Sequence, residues 1–283
     1  MINSVLKELP KSTTEISVTI EWSDVKLNYE KILNNVLTQV EIKGFRKGKA
    51  PKKIAEKSID KSKIYEEVIK EIIPKIYQDT ISKNNLKPVS SPKIELIKAK
   101  ENEDWQIKIT LSEKPKINLK NYQEKIREAK KAKVKIWTPG QKEEKKDIPS
   151  KISVEEIIEA FVKEIDIEIS DLLIEQETNR LLTNLLDQIQ KLGLTVDQYL
   201  ISKGKTQNQL KEDYQKQALK NLAIEFSLAE IAEKENITVE KKDIDDLLAK
   251  VENPAEKEKL GKESYYLAHL IRQQKTLDFL SNL

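Results

Sequence analysis

The stretch TEISVTIEWSDV, residues 14–25, decides the fold class. Ile16, Val18, Ile20 and Trp22 occupy alternate positions, the period of a strand with one buried face. From Leu27 to Ile42 the period changes: Leu33, Val36, Leu37 and Val40 recur near helical spacing, so a helix is expected next. A second helix is expected from Lys63 to Lys83, where Ile64, Val68, Ile72, Ile76 and Tyr77 recur at three and four, with Pro74 kinking or breaking it. KIELIKAK (93–100) and DWQIKITL (104–111) read as two further strands joined by the polar ENE. Residues 1–115 therefore read as an α+β domain, a small antiparallel sheet with helices packed on it.

Residues 116–149 are lysine-rich, a basic connecting segment with a short helical or extended piece and then TPGQKEEKKDIPS, a solvated linker. From 150 to 283 only helical periods remain. Ile157, Ile158, Phe161 and Ile165 form one set, and Leu172, Leu173, Leu181, Leu182, Leu185, Leu186 and Ile189 another, stopped by Gly193. Thr195, Thr206 and Thr238 each precede a helical run and are expected N-caps. This half reads as an elongated all-α domain with helical arms.

The chain has 283 residues, 38% apolar and 35% charged, a polar balance that suits a long shape with much surface per residue. It has no cysteine, which excludes disulfides and thiolate metal sites and suits a reducing, cytoplasmic location. No basic start followed by an apolar run and no 18-residue apolar stretch is present, so neither signal peptide nor membrane span is expected. The net charge of +3 conceals a division: 22 basic against 17 acidic residues in 1–115, 11 against 5 in 116–149, and 18 against 26 in 150–283. The front of the chain is built to meet something negative.

That bias concentrates in EIKGFRKGKAPKKI, residues 41–54, where Lys43, Arg46, Lys47, Lys49, Lys52 and Lys53 surround Phe45. No acidic residue lies between Glu41 and Glu56. Gly44 and Gly48 permit backbone angles closed to other residues and allow close approach to another surface. A solvated lysine loop accounts for the cations but not for an aromatic among them. Against folded RNA, the ring can stack or wedge while Arg46 and Lys47 meet phosphates. The spacing is not a P-loop, lacking the GxxxxGK[ST] order.

GFRKGKAP, residues 44–51, resembles the ribosome-docking signature of the bacterial trigger factors, ATP-independent chaperones at the ribosomal exit tunnel. KIYEEVIKEIIPKIYQDTISKNNLKPVSSPKIEL looks like that family's N-terminal domain. The run from LIEQETNRLLTNLLDQIQKLGLTVDQYL to SLAEIAEKENITV resembles its helical body. The resemblance implies that Gly44, Phe45, Arg46, Lys47, Gly48 and Lys49 form a docking tip for the large ribosomal subunit near the tunnel exit, both ribosomal protein and rRNA. It implies that the helical half cradles nascent or unfolded polypeptides, with no cofactor. Typical members insert a peptidyl-prolyl isomerase domain between these halves. Here about 35 residues join them, so no isomerase activity, and no enzyme, is expected.

Leu185, Leu192, Leu194, Tyr199, Leu200, Phe226, Tyr265 and Tyr266 are candidates for the client surface, although a helix packing such residues inward reads alike. His269, the only histidine, has no second histidine or cysteine to complete a catalytic or metal site. Trp22 and Trp105 fit strand cores; Trp137 reads as either the end of a strand core or an exposed contact. Two rival functions fit the same residues: a ribosome-independent holdase or assembly chaperone, for which a homodimer is a natural form, and an RNA-binding regulator.

Overall fold

The structure, a computed structural model, describes residues 2–41, 45–46, 51, 54, 58–133, 153–251 and 253–283. The chain divides into two compact units, Met1–Lys114 and Pro115–Leu283. Trp137 lies outside the described residues.

In the first unit the alternating stretch becomes β2 (Thr13–Ile20), with Ile16, Val18 and Ile20 buried. It is a central strand of a four-stranded antiparallel sheet. On one side it pairs with β1 (Ile2–Leu9), which the pattern had not signalled; on the other it pairs with β4 (Trp105–Ser112), which in turn pairs with β3 (Lys93–Lys98). Lys11 and Ser12 turn the first hairpin with φ of 60° and 51°, the left-handed geometry that matches strand twist. β1 escapes a periodicity reading because it is an edge strand, and its Val5 stays exposed.

Trp22 does not continue the strand. It is the first residue of α1 (Trp22–Gln39), and its backbone N–H donates to Asp104 Oδ1 at 2.9 Å, tying the helix start to the turn before β4. Of the two tryptophans expected in strand cores, only Trp105 is there, fully covered in β4. Helix α2 (Lys61–Asn84) runs through Pro74, contrary to the expected break. Pro74 lies on the exposed side, where the unpaired carbonyl one turn back can turn to water. Ile72, Ile73 and Ile76 hold both sides of it against the sheet. The core joins these residues and Val25, Ile32 and Leu33 of α1 to Ile16, Val18, Ile107, Ile109 and Leu111 of the sheet.

The residues expected to connect the halves divide in two. Residues 134–152 lie outside the described residues. The earlier part enters the second unit: β5 (Ile117–Asn118) pairs with β6 (Asp166–Ile167), and α3 (Tyr122–Lys133) packs on α4 (Val154–Val162). Leu119, Tyr122 and Ile126 are buried among Ile157 and Phe161 of α4, Leu228 and Ile231 of α7 (Gln207–Lys234) and Leu280 of α10 (Ser264–Asn282). Leu119 just before this helix and Tyr122 and Ile126 within it were too sparse among the lysines to mark it as core. The Tyr122 hydroxyl donates to Glu235 Oε1 at 2.8 Å, and burial, with Glu235 adding to it, pushes its phenol up to about 12.

Helices α5 (Asp171–Lys191) and α7 pack along one another, with α6 (Val196–Lys203) between them in sequence. Gly193 stops α5 with φ of 70°. Thr195 and Thr206 cap α6 and α7 by accepting from the N–H groups of Gln198 and Gln209. Thr238 is not a cap, because residues 237–240 are drawn out of helix. Arg272 Nε donates to the Ile237 carbonyl at 2.9 Å and Lys275 Nζ to that of Thr238 at 3.2 Å, so α8 (Lys241–Ala249) starts behind Glu240 instead. α9 (Pro254–Lys262) leads to α10. Among the described residues no helix is long and apolar enough to cross a membrane.

Two outcomes test this packing. Ile126→Ala is expected to cost the helical unit about 2–5 kcal/mol by chemical denaturation, as for a core position and unlike a linker. The Tyr122 phenol is raised on folding, so its contribution is complete below its ordinary value near 10 and is lost as pH climbs toward 12. Wild type should therefore lose more stability than Tyr122→Phe across that window.

Candidate functional site

Of the residues expected at the basic tip, Phe45 and Arg46 can be described; Gly44, Lys47, Gly48 and Lys49 lie outside the described residues. The chain leaves α1 at Val40, whose φ of −68° and ψ of 138° are extended. Phe45 follows, 42% exposed, and Arg46 beside it is exposed as well. On the return, the Ile54 N–H donates to the Pro51 carbonyl at 2.9 Å, and Asp60 caps α2 by accepting from Ser62 N–H at 2.9 Å. The two helices bounding the segment are joined where Lys31 Nζ meets Glu71 Oε1 at 2.6 Å. The hydrogen bond from Lys31, and then that from Lys75, holds the Glu71 carboxyl below the usual carboxylate range. A ring with much of its face in water beside a guanidinium can take part in stacking and in bidentate phosphate contact at once.

The candidate client residues separate by burial. Leu185 and Leu200 are core residues of the helical unit, and Phe226 is half-buried against Ile169, Leu173, Leu222 and Ala223. Tyr199 is half-buried, with Lys203 Nζ 5.8 Å from its ring centre. Leu192, Leu194, Tyr265 and Tyr266 are exposed, Leu192 to 73% and Tyr265 to 90%. Leu192 and Leu194 flank Gly193 at the end of α5, close in sequence to Ile201 on α6.

Ile201 was missed, yet it is 80% exposed. Its signal was the pair Leu200–Ile201, since successive helical residues point about 100° apart and a short helix resting on one neighbour cannot cover both. Leu185–Leu186 repeats this on α5, the first buried and the second exposed. His269 is half-buried on α10, its Nε2 3.8 Å from Glu225 Oε1 on α7. Among the described residues no group of three or more histidine, cysteine or acidic side chains is placed to hold a metal ion.

Comparison with known proteins covers both units. The family model "Bacterial trigger factor protein (TF)" matches residues 2–144, and "Bacterial trigger factor protein (TF) C-terminus" matches 118–282. The two matches overlap, leaving no residues between them for a middle domain. The trigger factor of Natranaerobius thermophilus is 30% identical over 48% of this chain and 30% of its own length. That of Moorella thermoacetica is 31% identical over 43% of the chain and 27% of its own length, and that of Mycolicibacterium smegmatis 28% identical over 42% and 25%. The chain thus matches less than a third of the length of these curated relatives. A solved structure, described as "Promiscuous Substrate Recognition in Folding and Assembly Activities of the Trigger Factor Chaperone", shares the fold with a TM-score of 0.63 and 12% identity, covering 99% of both chains.

Leu192 and Ile201 are mostly in water, so Leu192→Ser with Ile201→Ser should change stability by no more than about 0.5 kcal/mol per site. Fluorescence of an apolar dye bound to the folded protein should fall in the double variant, and an unchanged signal would remove these two residues from the candidate client residues.

Proposed function

This chain belongs to the bacterial trigger factor family, in a form without the middle isomerase domain, and from that premise we propose that it is an ATP-independent chaperone docked at the ribosome. The α+β unit is the anchor. Phe45, Arg46 and Lys47 meet the large subunit near the tunnel exit, ribosomal protein and rRNA together, with Gly44, Gly48 and Lys49 shaping the tip. The helical unit holds nascent or unfolded polypeptides through Leu192, Leu194, Ile201, Tyr265 and Tyr266, with Tyr199 and Phe226 at the margin; Leu185 and Leu200 serve packing. The observation that carries this reading is Phe45, an aromatic exposed within the most basic stretch of the chain.

Holding needs no covalent chemistry. Reversible burial of scattered apolar surface lowers the free energy of an exposed client segment, and release follows when the client's own core competes for it. The acidic excess of residues 150–283 disfavours rRNA at the client surface and leaves docking to the basic tip. The exposure of Leu192 and Ile201 also supports a second reading, a holdase acting off the ribosome, since exposed apolar side chains need no docking to meet a client.

Co-sedimentation with vacant ribosomes over a salt series separates the two. Phe45→Ala should weaken binding about five- to a hundredfold, the range of a lost stacking contact. Arg46→Ala should flatten the dependence of log K on log salt by about 0.7–0.9, the value of one phosphate contact. Wild type that stays in the supernatant at low salt overturns docking and leaves the free holdase.

A further inference from the structure

The first unit contains a cleft between α1, α2 and the turn from β3 to β4, with a volume of about 400 Å³, within the size range of ligand pockets. Trp22, Lys26, Tyr29 and Glu30 recur at three and four along α1, so one stripe of that helix faces the cleft. Lys61 and Tyr65 face it one turn apart on α2, and Glu101 closes it from the turn. Three half-buried aromatic rings thus share one small space. Tyr29 and Tyr65 lie 4.7 Å apart with their planes inclined by 38°, so they meet at an angle instead of stacking flat, and Tyr65 leans on Trp105 of the sheet core at 5.5 Å. Negative charge stands beside them: burial, then the Glu101 carboxylate and Tyr29, push the Tyr65 phenol above its ordinary value. Around the mouth Lys26 and Lys61 balance Glu30 and Glu101, all exposed. Lys61 Nζ is 3.4 Å from each Glu101 oxygen, a loose surface pair that a ligand can open.

We propose that this cleft binds a small zwitterion with a quaternary ammonium head, the class of glycine betaine, its methylated head against Trp22, Tyr29 and Tyr65 and its carboxylate on Lys26 and Lys61. The site depends neither on docking nor on holding and adds a small-molecule ligand to the chain. The negative face of an aromatic ring attracts a cation, most strongly where water is displaced, and an indole with two phenols makes such a lining. A quaternary head suits it better than a primary ammonium, because it has no N–H groups that must find acceptors when it leaves water. The rim decides the rest. With two cations and two anions it has no net field to draw in a plain cation or a plain anion, but it offers a partner to each end of a zwitterion. Glu30 and Glu101 add to the pull on the head, and the lysines make charge-assisted contact with the carboxylate.

The test follows the indole N–H resonance of Trp22 by NMR in the full chain at constant ionic strength, the signal being assigned with Trp22→Phe. Three probes are titrated: glycine betaine; tert-butylacetate, which has the same shape with carbon in place of the charged nitrogen; and choline, which keeps the head and lacks the carboxylate. Glycine betaine should shift the signal and saturate in the millimolar range, and tert-butylacetate should bind about tenfold more weakly, the value of a cation–π contact. Choline should also bind more weakly than betaine to the wild type. Lys26→Met with Lys61→Met changes only exposed side chains and should keep the wild-type melting temperature. It should reverse the order of the two cations, so that choline binds a few-fold more tightly than betaine. A Trp22 signal that stays still at about a hundred millimolar betaine, or equal affinity for betaine and tert-butylacetate, overturns the site. If the lysine variant keeps the wild-type order, the rim does not read the carboxylate and the proposal falls. None of these outcomes bears on the chaperone reading, which is tested at the ribosome.

Discussion

Burial of a single face of the four-stranded sheet is the constraint on which the α+β unit depends. The inward row of β2, Ile16, Val18 and Ile20, meets those of β4 and is closed by α1 and α2. Each such side chain contributes on the order of 1.5–3 kcal/mol when removed from water. That layer fixes where α1 ends and α2 begins, and so fixes both ends of the basic segment between them. Phe45 keeps much of its surface in water because the core is already complete without it.

The second unit solves a different problem, to keep apolar surface in water without losing its fold. Its helices bury one stripe each, and stability comes from those stripes: Ile157 and Phe161 of α4, Leu228 and Ile231 of α7, Leu280 of α10, with α3 filling the remaining gap. Leu192, Ile201 and Tyr265 stand outside every stripe. Leaving them exposed forgoes burial but breaks no packing contact within the helical unit.

Charge divides along the chain. The basic excess gathers before residue 150 and the acidic excess after it. Within the α+β unit the charge is uneven too: the cleft lined by Trp22 and Tyr65 carries Lys26 and Lys61 against Glu30 and Glu101, although the unit as a whole is basic.

Much of this was written in local pattern. The alternation of β2 and β4, the glycine stop at Gly193, the caps at Thr195 and Thr206 and the isolation of Phe45 among cations depend on neighbours in the chain, so the sequence by itself determined the α+β and helical halves and the basic stretch around Phe45. What it could not determine depended on distant partners. β1 became a strand because β2 offered it an edge. Trp22 opened a helix because Asp104 held its N–H, and Pro74 was passed because Ile72, Ile73 and Ile76 faced the sheet. Thr238 lost its cap to Arg272 and Lys275. Tyr122 and Ile126, in a run of lysines, were claimed by a core assembled from α4, α7 and α10. Leu185 went inward and Leu192 outward for the same reason: an apolar side chain is buried only if another element arrives to cover it, and only the tertiary structure decides which element arrives where.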